Sequence, residues 1–171
     1  AERAYQLVDA GETWGREIEF RTMKGNTFWG ALAIARLEMA DRRLLLARIS
    51  DITASRLAEK DRMLLSAAIE QAMEAIVITD ANGIVEYVNP AFERVSGYTR
   101  DETVGRPTSV LKSGLHGREF YDGLWRTISE GRVWFGHIIN RRKDGSLYEE
   151  EGSITPVRDA VGHIVNFVAV K

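Results

Sequence analysis

The sequence predicts an α+β fold, a five-stranded antiparallel sheet with short helices on one face, and three observations carry that prediction. Two β-branched runs flank an Asn-Gly turn, three more such runs close the chain, and between them Pro90, Gly97, Gly105 and Gly131 stand where short helices start and stop. The 171 residues carry a formal net charge of −2 and are 44 % hydrophobic, which suits one globular core or two small ones.

In order, "AIVITD" (75–80) and "IVEYVN" (84–89) form a hairpin, because Asn82-Gly83 tolerates the positive φ angles of a tight turn. Pro90 opens a short helix that ends near Gly97, its ring pre-setting a helical φ where no N–H is needed. Thr99 and Glu102, three apart, read as a capping box for another helix stopped by Gly105. "GREFYDGLWRTISEG" carries Phe120, Leu124, Trp125 and Ile128 at helical spacing and ends at Gly131. Strands are then expected over 133–142, 146–155 and 163–171, turned by Asp144-Gly145 and by "VRDAVGH".

Several function classes are excluded. So small a net charge gives no field for nucleic acid or an anionic membrane, and Arg141, Arg142 and Lys143 read as a solvated hairpin tip. With no cysteine there is no disulfide, thiolate metal site or cysteine photochemistry. No apolar run approaches the roughly 18 residues of a spanning helix, and a cytoplasmic setting is expected. Phosphate-cradling glycine loops, metalloprotease motifs and nucleophile elbows are missing, so no catalysis is expected, and His137 and His163 have no carboxylate or histidine at metal-ligand spacing, so no metal site is expected. The opening residues look like the middle of a helix, as in a piece of a longer protein.

The chain repeats itself. Residues 10–53 follow the plan of residues 130–171, with Trp14 matching Trp134 and, after one extra residue, Lys24 matching Lys143. On that alignment Arg21 stands where the second copy has Asn140, and Ala31 where it has Glu150. Residues 1–53 are thus expected to be the C-terminal part of a first domain, 54–72 a linker helix, and 73–171 a second domain. In the linker Ile52, Leu57, Leu64 and Ala68 suggest an apolar stripe, either lying on its own domain or coupling two chains.

Strand alternation singles out a face. Trp134, Gly136, Ile138 and Asn140 share one side of their strand, and Tyr148, Glu150 and Gly152 the matching side of the next. Of the three consecutive glutamates, Glu149 and Glu151 therefore face water and only Glu150 turns inward. Glycines inside strands mark close approach by another backbone or a ligand, and buried polar groups need partners. Asn140 and Glu150 accordingly pair with each other, with Lys171, with water or with a ligand. Trp125 and Trp134 are either core aromatics or the walls of a cofactor site.

"ITDANGIVEYVNPAFERVSGYTRDETVG", the closing "NRRKDGSLYEEEGSITPVRDAVGHIVNFVAVK" and the "DIT" at Asp51 to Thr53 together resemble the PAS domain family over roughly residues 66–171, with the repeat extending the likeness over 1–53. The resemblance implies a sensory or dimerising module that works as a homodimer and is joined to an output domain of the same chain, such as a histidine kinase. In the light-oxygen-voltage branch an asparagine just before the basic tip bonds a flavin ring, and Asn140 stands at that position. A redox-sensing branch that holds FAD without cysteine is similar over "SGLHGREFYDGLWRTISEGRVWFGHIINRRKDG". Carried over, it implies noncovalent FAD with Asn140 on the isoalloxazine edge, Trp125 and Trp134 lining the site, and Glu150 and Thr108 as further contacts. Some of those relatives carry an acid where this chain has Thr108. Two other readings stand beside it: a cofactor-free module for dimerisation and relay, and a haem-based gas sensor with His116 as iron ligand.

Overall fold

The computed structural model describes residues 13–39 and 42–171, so the helical look of the opening residues falls outside the described part. Two compact units divide between Leu64 and Leu65. In the first, β1 (Trp14–Arg21), β2 (Thr27–Met39) and β3 (Arg42–Asp51) form an antiparallel meander. Its exit is tied down by local chemistry. Asp51 Oδ1 accepts the Thr53 N–H at 2.9 Å, Thr53 Oγ1 accepts the Trp29 N–H at 2.9 Å, and the Arg56 guanidinium lies 3.9 Å over the Trp29 ring. These contacts set the first turn of α1 (Thr53–Gln71) against β2. None of the 19 residues of α1 is buried, and Leu57, Leu64 and Leu65 are each more than half exposed.

The second unit is a five-stranded antiparallel sheet in the order β5-β4-β8-β7-β6, with β4 (Ile76–Asp80), β5 (Val85–Val88), β6 (Trp134–Arg141), β7 (Leu147–Arg158) and β8 (Ile164–Val170). Short helices α2 (Pro90–Ser96) and α3 (Arg100–Thr103), a 3₁₀ turn at Thr108–Leu111 and the longer α4 (Arg118–Ser129) connect β5 to β6. This is the α+β architecture expected from the sequence. Asp80 Oδ1 accepts the N–H groups of Asn82 and Ile84, and Gly83 takes φ +81°, which closes the first hairpin. The Thr99/Glu102 capping box is present, and the Lys143 ammonium beside Glu102 at 2.5 Å holds that carboxyl down to about 2.

The strands keep to within a residue of those expected, save at the end of β7, and two of the shifts have a clear cause. Asn89 leaves β5 because its side chain turns inward to cap α2, with Oδ1 accepting the N–H of Phe92. β7 runs past Thr155 through Pro156, which is tolerated because β6 has already ended at the Trp134–Ile154 pair and no neighbour needs the missing N–H there.

The core forms two clusters. One joins Val77, Val85, Val88, Phe92 and Leu111 near β4 and α2. The other joins Leu124 and Ile128 of α4 to Ile138 and Phe167 of the sheet. Each such side chain contributes about 1.5–3 kcal/mol on burial.

Candidate functional site

Between α4, the 3₁₀ turn and the sheet lies a cavity of ≈ 170 Å³. Its floor is Val77 and Thr79 of β4, Phe167 and Ala169 of β8, and Ile138 and Asn140 of β6. Its walls are Tyr121, Leu124 and Trp125 of α4, and its rim is Asn82, Thr108, Ser109 and Lys112. The Trp125 indole meets Phe167 edge-on at 5.8 Å and turns the Cη2 edge of its six-membered ring toward Gly83, where an added Cβ would come within 2.6 Å of it.

Strand parity brings the polar groups inward. Asn140 is 5 % exposed, whereas Phe135 and His137 on the opposite face of β6 are exposed. On β7, Tyr148 and Glu150 turn inward while Glu149 and Glu151 face solvent. Glu150 Oε1 accepts Asn140 Nδ2 at 2.5 Å and Lys171 Nζ at 2.7 Å, with the two charged side chains only 9 % and 12 % exposed. A desolvated carboxylate is retained here because an ammonium and an amide share one of its oxygens. Burial, with the Glu150 charge as a second cause, pushes the Tyr148 hydroxyl up.

The residues singled out in the sequence do not all meet. Asn140, Trp125 and Thr108 line the cavity; Trp134 and Glu150 do not. Trp134 folds back over Gly136, whose missing Cβ leaves room for the indole, and meets Phe120 edge-on at 5.9 Å. Glu150 stands behind Asn140. Gly152 likewise accommodates protein, since a Cβ there would lie 2.5 Å from the Val170 carbonyl oxygen. Neither strand glycine admits a ligand. His116 is also outside the lining: its Nε2 accepts the Ile139 N–H at 2.8 Å and its ring stacks on Phe120 at 4.1 Å. That lone pair is spent on the backbone of edge strand β6, so nothing in the cavity favours the haem reading. Tyr121 escaped notice in the sequence, although it stands four residues before Trp125 on the same helical face.

The repeat holds at a constant offset of 120 residues, from position 14 to 134 and from 34 to 154, because the Trp14–Ile34 pair of β1 and β2 matches the Trp134–Ile154 pair of β6 and β7. The turn glycines Gly25 and Gly145, both at φ +89°, keep the same offset. The extra residue inferred from the lysines is therefore not there. The counterpart of Asn140 is Phe20, not Arg21, and that of Glu150 is Gly30, not Ala31. In the first unit the Phe20 ring covers Gly30, where an added Cβ would approach it to 2.6 Å, and stacks on Phe28 at 5.4 Å. Hydrocarbon thus occupies in one copy the diagonal that hydrogen-bonded polar groups occupy in the other.

Comparison with known proteins agrees with this architecture. The PAS domain profile matches residues 1–54 and 73–170. The nitrogen fixation regulatory protein of Klebsiella oxytoca is 33 % identical over 123 residues, 72 % of this chain and 25 % of that protein. Rice phototropin-1A is 30 % identical over 111 residues, 63 % of this chain and 12 % of its own length. The chain thus spans a quarter or less of these relatives. Among solved structures, the light-state LOV domain of the blue-light photoreceptor Aureochrome1 superposes with a TM-score of 0.54 at 28 % identity, covering 62 % of this chain and 85 % of that one. Its profile match, its sheet order and its helical crossover make this chain a member of the PAS domain family, the sensory domains of signalling proteins.

Proposed function

We propose that this chain senses redox state or oxygen for a longer signalling protein by holding FAD noncovalently in the cavity of its second unit. The single observation that carries the reading is the buried Asn140 amide, fixed by Glu150 on the floor of an otherwise largely apolar cavity. The lining fits the chemistry of a flavin: aliphatic and aromatic groups for the ring faces, an amide for a polar edge, and Thr108, Ser109 and Lys112 at the rim for a phosphate-bearing chain. By size, a cavity of about 150 Å³ takes one benzene ring, so three fused rings require the lining to open. A bound flavin would supply reversible reduction; without a cysteine this chain offers no thiol for a light-driven adduct.

The protein's own part is to hold an edge and to pass on a strain. Glu150 joins Asn140 to Lys171, and the Lys171 backbone exchanges hydrogen bonds of 3.0 and 2.9 Å with Ala75, just beyond α1. Asn89 Nδ2 then donates to the carbonyls of Glu74 and Ile69, and Tyr87 donates to Glu70 at 2.8 Å. A contiguous line of contacts therefore leads from the cavity to the end of α1, the element proposed to carry the signal. The exposed leucines of α1 support a second copy of the chain as its partner, and an output domain of the same protein as the receiver.

An absorption spectrum and light scattering on one preparation test both proposals. A flavin spectrum whose chromophore is released on heating, together with a mass of two chains, is expected. A colourless protein that takes up no added FAD contradicts the first proposal, and a monomer at high concentration contradicts the second.

A further inference from the structure

Buried hydroxyls in the second unit are paired almost wherever they occur. Thr79 donates to the Asp80 carbonyl, Thr103 to Thr99, Ser113 to Ile139 and Thr127 to Gly123. The hydroxyl of Tyr121 differs: its oxygen is buried, it has no hydrogen-bond partner, and the side chain lines the cavity. An orphaned buried donor lowers stability, and native folds rarely keep one without a use.

The ring is also held in place. Phe120 meets it edge-on at 5.3 Å and His116 at 6.1 Å, while the Lys112 ammonium lies 3.9 Å from its centroid. Burial pushes the hydroxyl up from its ordinary value, so at neutral pH it remains an O–H donor. The contacts around it are aromatic faces, aromatic edges and an ammonium, and none of these accepts that proton.

We infer that Tyr121 is a ligand-contacting residue of this cavity, its O–H donating to a carbonyl oxygen or ring nitrogen of a flat conjugated ligand. The inference rests on the flavin reading and deepens it, adding to Asn140 a second polar anchor, this one on α4. It also gives the ligand a direct hold on the helix that packs over the sheet.

The test is Tyr121→Phe in the whole chain, with FAD as the probe. If the hydroxyl serves the ligand, the flavin-free variant melts at or above the wild-type temperature, because an unpaired polar atom has been removed. Its FAD dissociation constant then rises by roughly tenfold, the usual consequence of losing one hydrogen bond to a buried partner. The vibrational bands of bound FAD shift as well. Unchanged affinity and unchanged bands overturn the inference while leaving the flavin reading intact, and so does weaker binding that accompanies a lower melting temperature, which would make the hydroxyl's role structural. Wild-type protein that binds no FAD removes the flavin reading and this inference together.

Discussion

Replacing Asn89 with alanine is expected to destabilise the second unit by about 3–4 kcal/mol. Asn89 is 0 % exposed, and all its hydrogen-bonding capacity is engaged. Oδ1 accepts the N–H groups of Ile76 and Phe92, and Nδ2 donates to the carbonyls of Ile69 and Glu74. One side chain thus caps α2, starts β4 and anchors the last turn of α1. Truncation strands the Ile76 N–H, leaves the Phe92 N–H only the residue-89 backbone carbonyl, takes the amide donors from the Ile69 and Glu74 carbonyls and removes a helix cap, and local relaxation recovers only part of each cost. For a unit of this size the loss corresponds to a fall in melting temperature of roughly 15 °C. Asn89→Asp keeps both acceptor roles but sets a buried carboxylate oxygen against the carbonyls of Ile69 and Glu74, so it should be no more stable than the alanine variant. An alanine variant that melts within a degree or two of wild type would show that the four hydrogen bonds do not organise this corner.

Lys171→Met should destabilise by about 3 kcal/mol, because it leaves the Glu150 carboxylate in a nearly buried position with only the Asn140 amide for company. A buried ion pair adds little to stability when intact, since desolvation offsets most of the attraction, but removal of one member exposes the whole cost of the other. The double variant Glu150→Met, Lys171→Met should therefore recover most of the loss. Denaturant unfolding of the two single variants and the double variant gives the coupling directly. A double variant less stable than either single one would mean that Glu150 and Lys171 contribute separately, and the line of contacts from Asn140 to Ala75 would lose its middle.

Much of this site could be read from strand alternation. The inward turn of Asn140 and Glu150, and the outward turn of their neighbours, follow from a period of two once the hairpin at Asp144-Gly145 is recognised. The helix cap at Thr99 and the helix start at Pro90 were equally legible, because their chemistry is local. What escaped was long-range. Sequence spacing does not tell whether Gly136 makes room for a ligand or for Trp134, since the answer depends on a rotamer chosen by Phe120 across the α4–β6 contact. The register of the repeat was misread for a related reason. Lys143 is held by its own pairing with Glu102 and not by the repeat, whereas Gly25 and Gly145 are held to one position by a positive φ. Tyr121 escaped because its significance is an unpaired oxygen, which exists only once everything around it has been placed.

The two copies also suggest how sensing and coupling are divided. Where the second unit keeps an amide and a carboxylate, the first keeps a phenyl ring over a glycine, a packing that leaves no polar edge for a ligand. Its exit nevertheless binds the start of α1 through Asp51, Thr53 and Arg56. On the proposed reading the first unit grips the helix and the second responds to the ligand.

The most direct measurement is the number of FAD molecules retained per chain after gel filtration, for wild type and for the double variant Asn140→Phe, Glu150→Gly, which transplants the diagonal of the first copy into the second. One flavin per wild-type chain and none on a variant that still melts cooperatively is the expected result. Two flavins per chain, or equal retention by the variant, would contradict the assignment of binding to Asn140 and its carboxylate partner.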